Sequence, residues 1–292
     1  MSKFSNVAGP KLNLNKTECL LTGTYVNTFS NDNHIHGVKI AKNVKCLGVY
    51  LGHDKEICYT GNWTNKLEKL EKILSVWKRR NLTIFGKCTI VNTLAISKLV
   101  YNAFILPNPK PEFFKQVSKI IYNFLWKKRD RIKRNTLIGK IDQGGIGIVD
   151  IENKFQAVKA SWIKRLVDKE SITHILLNKM LKKINMSVAE VLKTTDYKYI
   201  ESDLYKISIP HFYGEVFTAF NKCKKCKNIN ALKKDEFFAE IIWNNNLFQY
   251  KSKPLFLTNW IKSGIKYIKE LFNDNGEIYD LEYFTNKIEK NE

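Results

Sequence analysis

The change in hydrophobic period at Trp63 constrains the fold of this chain most strongly. Beyond it, Leu67, Leu70, Leu74 and Trp77 follow one another at spacings of three, four and three. Apolar residues at this spacing share one face of an α-helix, whereas a half-buried strand needs a spacing of two. The pattern therefore predicts an amphipathic helix. Its charged residues are expected to face away from the core: Lys66, Glu68, Lys69, Glu71 and Lys72.

Similar patterns predict several further helices. Residues 87–104 are apolar on most sides, which favours a buried helix, and Pro107, Pro109 and Pro111 are expected to end it and open the next one. That next helix has one apolar stripe made of Phe113, Val117, Ile120, Ile121, Phe124 and Leu125. Residues 155–166 and 259–272 are predicted to be helical on the same grounds.

The first 60 residues and one later stretch have sequence patterns that predict strands and turns instead of helices. Residues 19–24 and 44–51 are rich in β-forming residues and predict short strands. Residues 137–148 are apolar and interrupted by Gly144, Gly145 and Gly147, which predicts a hairpin with a simple turn rather than a phosphate-binding loop. The expected fold is therefore mainly α with a small β portion (α+β).

Composition excludes several classes of protein. Hydrophobic residues make up 44% of the 292-residue chain, which is enough for a folded core. No uncharged run approaches the roughly 18 to 20 apolar residues of a membrane-spanning helix, and the first residues lack the apolar centre of a secretory signal. We therefore expect an intracellular protein of the nucleus or cytoplasm, neither secreted nor embedded in a membrane, with free thiols at its six cysteines.

The charge is strongly positive and unevenly distributed. The chain has 49 Lys and Arg against 28 Asp and Glu, a formal net charge of +21, and residues 63–167 alone account for +15 of it. Such an excess points to phosphate backbones or anionic surfaces as partners. RNA and DNA are the partners we expect, whereas the sequence does not indicate the oligomeric state.

Residues 127–134 form the densest basic segment. Their charges could contact phosphates, and the neighbouring indole of Trp126 offers a face for base stacking. The alternatives are a solvated helix end, a nuclear-import signal or an anionic membrane surface. The predicted nucleic-acid-binding residues are Trp126, Lys127, Lys128, Arg129, Arg131, Lys133 and Arg134, together with Lys78, Arg79, Arg80 and Lys87.

Motifs for catalysis or metal binding are weak. Cys223 and Cys226 have the spacing of two zinc ligands, but no second pair follows, so free thiols are the preferred interpretation over a zinc or redox site. The chain contains neither an adjacent Asp pair nor Asp-x-Asp, the usual local sign of two-metal chemistry. No catalytic residue, metal or cofactor is therefore predicted from the residues themselves.

The order of a longer series of landmarks resembles the reverse transcriptases of LINE-type (non-LTR) retrotransposons, from the end of the palm through the thumb to the C-terminal region. GPKLNLNKTE (residues 9–18) is similar to the palm segment that follows the catalytic aspartates, and VKCLGVYLG (44–52) to the primer grip. The remaining landmarks are Asn62, Trp63, Trp77, residues 82–87, Tyr101, Pro107, residues 124–126, 131–133, 144–148 and 241–245, Trp260, Gly264 and residues 273–278.

The resemblance implies an RNA-directed DNA polymerase whose palm aspartates hold Mg²⁺. It also implies that Lys16 is the palm lysine, that Cys46, Leu47, Gly48 and Val49 grip the primer end, and that residues 63–167 hold the template-primer duplex. The catalytic aspartate motifs, however, would lie before Met1. We therefore expect a fragment that binds nucleic acid and does not polymerise alone.

The same resemblance suggests three regions. Residues 1–61 would be a palm remnant, 62–168 a basic, helical, thumb-like domain and 169–292 a mostly helical C-terminal region. The alternative function is that of a helical protein-interaction fragment, or a decayed gene product, whose charge only keeps it soluble.

Overall fold

A computed structural model describes residues 13–28, 33–126, 131–194, 209–223 and 233–289. About 59% of the structure is helical and 9% is strand, which confirms a mainly α fold with a small β portion. Contacts divide the chain into two compact units. Unit 1 comprises Met1–Asn102 and Pro109–Ile151, and unit 2 comprises Ala103–Asn108 and Glu152–Glu292. The three predicted functional regions stay a prediction.

The strands of unit 1 form two small sheets. Strands β1 (Glu18–Cys19), β2 (His34–Ile35) and β3 (Val38–Ile40) are ordered β1-β3-β2, with β1 parallel and β2 antiparallel to β3. Strands β4 (Asn43–Cys46) and β5 (Val49–Gly52) form an antiparallel hairpin, as residues 44–51 predicted. The strand predicted at 19–24 is wrong beyond Cys19, because the chain turns at Gly23, where φ is +63°, and enters helix α1 (Tyr25–Thr28).

Two long helical segments make up most of unit 1. The first contains α2 (Lys55–Tyr59), a π-helical stretch (Thr60–Thr64) and α3 (Asn65–Lys78). The second contains α4 (Ile84–Ile90), a π-helical stretch (Val91–Ile96) and α5 (Ser97–Ile105). The helices that follow are α6 (Pro111–Trp126) and α7 (Arg134–Ile138). The helices predicted from Trp63 and across residues 87–104 are therefore confirmed.

The core of unit 1 is formed by the predicted apolar faces. Leu70 and Leu74 of α3 are buried, as are Val117 and Ile121 of α6. The rings of Trp63 and Phe113 meet edge to face with their centroids 5.3 Å apart. Pro111 begins α6, so the proline-rich stretch ends one helix and opens the next as expected.

A buried amide joins the hairpin to the helices of unit 1. Asn62 is 4% exposed; its Oδ1 accepts the Tyr50 N–H and its Nδ2 donates to the Tyr50 carbonyl, both at 2.8 Å. Its own carbonyl accepts a bond of 2.7 Å from Asn102 Nδ2. Gly61 is required beside it, since a Cβ there would lie 2.4 Å from the Tyr50 ring. Asn62 therefore makes the two hydrogen bonds to Tyr50 that a neighbouring strand would otherwise make.

Replacing Asn62 by Ala is expected to lower the free energy of unfolding of unit 1 by about 2–3 kcal/mol, because both Tyr50 backbone groups lose their partner. Urea denaturation measures this change, and hydrogen exchange should show lost protection of the Tyr50 amide. Asn81→Ala, at an exposed position, is the control. Equal stability of the two variants would contradict the role given to Asn62.

The glycine-rich stretch of unit 1 is not the predicted hairpin. Helix α7 is followed by a 3₁₀ turn (Ile141–Gln143), and Gly144 and Gly147 adopt positive φ angles of 78° and 72°. The chain reverses so that Ile148 N donates to the Leu137 carbonyl, with no strand on either side. The expected turn is present, but the glycines adopt left-handed conformations that shape a compact loop instead of a ladder.

Unit 2 is built from shorter helices around one hydrophobic core. They are α8 (Ile151–Ala160), which begins at the boundary residue, α9 (Ile163–Val167), α10 (Ile172–Leu181), α11 (Val188–Lys193), α12 (His211–Cys223), α13 (Lys234–Phe238), α14 (Thr258–Lys262) and α15 (Leu281–Glu289). A short hairpin joins β6 (Gln249–Tyr250) to β7 (Lys253–Pro254). The core includes Leu166, Leu181, Phe217 and Trp243.

The helix predicted over residues 259–272 is interrupted. Helix α14 ends at Lys262, and Gly264 adopts a φ of +83°. Gly264 N donates to the Ile261 carbonyl and Ile265 N to the Trp260 carbonyl, the bonding pattern of a Schellman cap. Helical structure resumes only as a 3₁₀ turn (Ile268–Leu271). The apolar spacing correctly predicts that Ile261, Ile265 and Ile268 are buried. It does not predict the end of the helix at the glycine.

A buried charge lies inside unit 2. The side chain of Lys159 is fully buried; its Nζ donates to the Leu106 carbonyl and lies 3.2 Å from Glu215 Oε2 and 4.0 Å from the centre of the Phe212 ring. Glu215 also accepts the backbone N–H of Asn108 at 2.9 Å. Burial lowers the pKa of Lys159 to about 8, although the Glu215 carboxylate opposes that effect.

The stability of unit 2 is expected to rise with pH from about 8 towards 10.5. In this window the unfolded chain holds a proton on Lys159 that the folded unit has released, so raising the pH favours the folded state. Urea denaturation between about pH 7.5 and 9.5 measures the slope. Lys159→Met should remove this rise, whereas Lys164→Met, at an exposed position, should retain it. Equal slopes for the two variants would contradict the assignment.

The helix Ile84–Ile105 satisfies a membrane-span criterion. It has 22 residues and is long and apolar enough to cross a bilayer by length and composition. In unit 1 it supplies Val91, Ala95, Ile96 and Leu99 to the buried core. Of its most apolar 18-residue window, 39% is buried, and core helices of globular proteins commonly meet the same criterion.

Candidate nucleic-acid interface

The tip of the β4–β5 hairpin carries the four residues predicted to grip a primer end. Cys46 pairs with Val49, and Leu47 and Gly48 form the two-residue turn between them. Their φ angles of 47° and 83° are the left-handed values of a type I′ hairpin turn. Cys46, Leu47 and Gly48 are exposed, whereas Val49 is buried. The structure therefore brings these residues together at one exposed tip with a single anchor in the core.

Leu47 is an unusual residue for this turn. Its side chain is 85% exposed, and a leucine pays a conformational cost at positive φ that Asn or Gly largely avoids. Tyr101 holds the tip by donating its hydroxyl to the Leu47 carbonyl at 3.1 Å. The turn therefore places an exposed aliphatic side chain in a backbone conformation that lowers the stability of the hairpin.

Leu47→Asn is expected to raise the stability of unit 1 by about 1 kcal/mol, because Asn-Gly is the preferred sequence of this turn. Gly48→Ala should lower it by a similar amount, since φ is +83° there although a Cβ would meet no atom within 4 Å. Chemical denaturation measures both changes. Destabilisation by Leu47→Asn would show that the leucine is the better residue for the fold.

The basic residues after the hairpin differ in how they are held. Lys78, Arg79 and Arg80 are exposed at the end of α3, and the Arg80 guanidinium lies 4.6 Å from the centre of the Trp77 ring. Lys87 is half-buried, and its Nζ donates to the Leu125 carbonyl at 2.9 Å. Lys87 therefore has a structural role at the end of α6, whereas the three residues at the end of α3 are open to solvent.

The densest basic segment is described only in part. Lys127, Lys128 and Arg129 lie outside the described residues, as does Asp130. Arg131, Lys133 and Arg134 are exposed, and the Arg134 guanidinium lies 4.1 Å from the centre of the Tyr122 ring. Trp126 is half-buried, and its indole nitrogen is buried with no hydrogen-bond partner among the described residues. Less of this ring is therefore open to a nucleotide base than the sequence suggested.

The weaker candidates are spread over the chain. Lys16 is exposed in a 3₁₀ turn (Leu14–Lys16), and Cys223 is exposed at the end of α12, while Cys226 lies outside the described residues. Within the described part of the chain, no group of three His, Cys, Asp or Glu side chains is placed to hold a metal ion. The zinc interpretation of the cysteine pair gains no support from these residues.

Sequence reasoning missed one basic surface. Lys66, Lys69, Lys72 and Lys98 line a groove of about 420 Å³ together with Ile73. The first three were expected to face solvent separately on α3, and Lys98 belongs to the distant helix α5. We call this surface the lysine groove. Only the packing of α3 beside the helix of residues 84–105 brings its members together.

Part of the chain is similar to a known transposon protein. No protein-family model matches the chain. The chain is 26% identical over 127 residues, 43% of its length, to a protein of Xenopus laevis described as "Transposon TX1 uncharacterized 149 kDa protein". The match spans about a tenth of that relative's length. Less than half of the chain is therefore similar to a small part of a transposon protein.

Proposed function

We propose that the chain is a fragment of a retrotransposon RNA-directed DNA polymerase that binds template-primer nucleic acid through its basic helical region and does not polymerise alone. The observation that carries this proposal is the net charge of +15 within residues 63–167 in a chain similar to a transposon protein. Such a charge favours phosphate contacts, which need no catalytic residue.

Exposed cations of unit 1 support the phosphate-binding part. Arg80 and Arg134 are stacked on aromatic rings, which holds each guanidinium in a defined place at the surface of unit 1. Lys78, Arg79, Arg131 and Lys133 add exposed charge without a described ion pair. In the proposed function these side chains follow the sugar-phosphate backbone and do not read bases.

The hairpin tip supplies the second part of the proposal. Leu47 and Gly48 form an exposed turn that Tyr101 holds from the helix behind it. In a reverse transcriptase fragment this tip would contact the primer end, with the leucine side chain packing on a sugar or base. Lys16 would then be the palm lysine.

A protein-interaction fragment is the second candidate. Ile172, Ile175 and Leu176 of α10 are 75%, 54% and 59% exposed and lie on one side of the helix. An exposed apolar face of this kind favours contact with another protein. Nucleic-acid binding that weakens with salt separates the two candidates, because apolar association does not weaken in this way.

Glutamine substitution of the basic segment is expected to weaken binding of a primer-template duplex without changing sequence preference. If about four of the six cations contact phosphates, the slope of log K against log salt should fall in magnitude by about 3 to 4. The variant changes all six residues to Gln: Lys127, Lys128, Arg129, Arg131, Lys133 and Arg134.

Filter binding or fluorescence anisotropy at several salt concentrations measures the slope. The control replaces Lys224, Lys225 and Lys227, which lie outside the dense basic region, and should change the slope much less. If a folded six-residue variant keeps the affinity and slope of the parent, the segment is a solvated helix end. Absence of salt-dependent binding by the parent chain would reject the proposed function itself.

A further inference from the structure

The lysine groove is built by residues that are far apart in the sequence. Lys66, Lys69 and Lys72 are on α3, at intervals of three residues, and Lys98 is in the first turn of α5. Residues three and four apart on a helix are neighbours on its surface. Together with the partly buried Ile73, they line an open surface groove of about 420 Å³.

The acidic residues of α3 are not among the residues that line the groove. At about 100° of rotation per residue, Glu68 falls beside Lys72, four residues further on, and Glu71 lies between Lys72 and the buried Leu74. In the described part of the chain, no Asp or Glu forms an ion pair with any lysine of the groove. Within that part of the chain, the four lysine charges are therefore not neutralised by a direct ion pair.

The groove is electrostatically crowded. Partial burial lowers the pKa of Lys66, and the positive charges of Lys69, Lys98 and Lys45 lower it further. Lys45 reaches this region from β4, where its Nζ lies 5.3 Å from the centre of the Tyr50 ring. Like charges from three elements repel one another, so a bound polyanion relieves a repulsion that the folded chain otherwise retains.

The chemistry of the lining identifies the type of anion. Lysine ammonium groups are flexible point charges that suit phosphate oxygens without a fixed orientation, whereas planar carboxylates and base edges favour the arginine fork. Ile73 offers an apolar surface that can pack on a sugar. Several phosphates joined by sugars match a groove that is lined by four lysines and one isoleucine.

We propose that the lysine groove binds successive phosphates of a polynucleotide backbone, as a second contact separate in sequence from residues 127–134. This inference rests on the proposed function, since it assigns a further binding site to the same nucleic acid. It specifies which cations of α3 and α5, within the basic region of residues 63–167, make that contact.

The test compares two triple variants of equal charge. The groove variant is Lys66→Gln, Lys69→Gln and Lys98→Gln; the control is Lys55→Gln, Lys115→Gln and Lys119→Gln, all at exposed positions of unit 1. The slope of log K against log salt for a primer-template duplex should fall by about 2 to 3 for the groove variant, and by less than about 1 for the control. Circular dichroism and thermal unfolding verify that both are folded.

Acetylation of lysines in the unmodified chain gives an independent readout that needs no variant. Bound duplex should slow acetylation of Lys66, Lys69 and Lys98 several-fold relative to Lys55 and Lys115, as measured by mass spectrometry. Inorganic tripolyphosphate is used in parallel, because it carries linked phosphates but no sugars or bases.

The outcomes distinguish failure of the groove proposal from failure of the proposed function. Equal slopes of the two triple variants, with no protection of the groove lysines by a bound duplex, overturn the groove proposal and leave the proposed function intact. Protection by tripolyphosphate but not by duplex identifies a site for small polyphosphates and overturns the assignment to a backbone. Absence of duplex binding by the unmodified chain overturns both proposals.

Discussion

The two hydrogen bonds between Asn62 and the Tyr50 backbone are the constraint on which unit 1 depends. A two-stranded hairpin is marginally stable in isolation, and β4–β5 has no third strand. The Asn62 carboxamide supplies the donor and acceptor that such a strand would provide, and Asn102 fixes Asn62 in turn. The direction of the hairpin tip, and with it the position of Leu47, is therefore set by the π-helical stretch Thr60–Thr64.

The helical part of the fold was predictable because the buried residues of a helix recur at regular spacings in the sequence. The apolar faces of α3 and α6 each repeat at three and four residues, and Pro111 marks a boundary by its covalent structure. Prediction was wrong where one residue overrode that period. Gly264 ends a helix whose apolar spacing continues, because a left-handed residue caps the last carbonyls at less cost than another turn requires.

The candidate site was predictable only as far as charge density shows it. Counting cations located the basic region, but the role of each cation depends on partners distant in sequence. Lys87 donates to the carbonyl of Leu125, 38 residues away, and Lys159 is buried against Leu106, 53 residues away. No local pattern separates such lysines from exposed ones. Lys98 and Lys66 likewise come together only through tertiary packing, because they lie on two different helices.

The basic surfaces of unit 1 differ in how much freedom their cations lose on binding. Arg80 and Arg134 lie against Trp77 and Tyr122, so part of their rotamer entropy, about 2 kcal/mol for a free side chain, is already lost in the folded chain. Most lysines of the groove are exposed and have no such support, so ordering them costs free energy that phosphate attraction must exceed. That attraction is strongest at low salt, where screening is weak. In the proposed interface the arginines therefore set position, whereas the groove strengthens binding in proportion to the local concentration of phosphate charge.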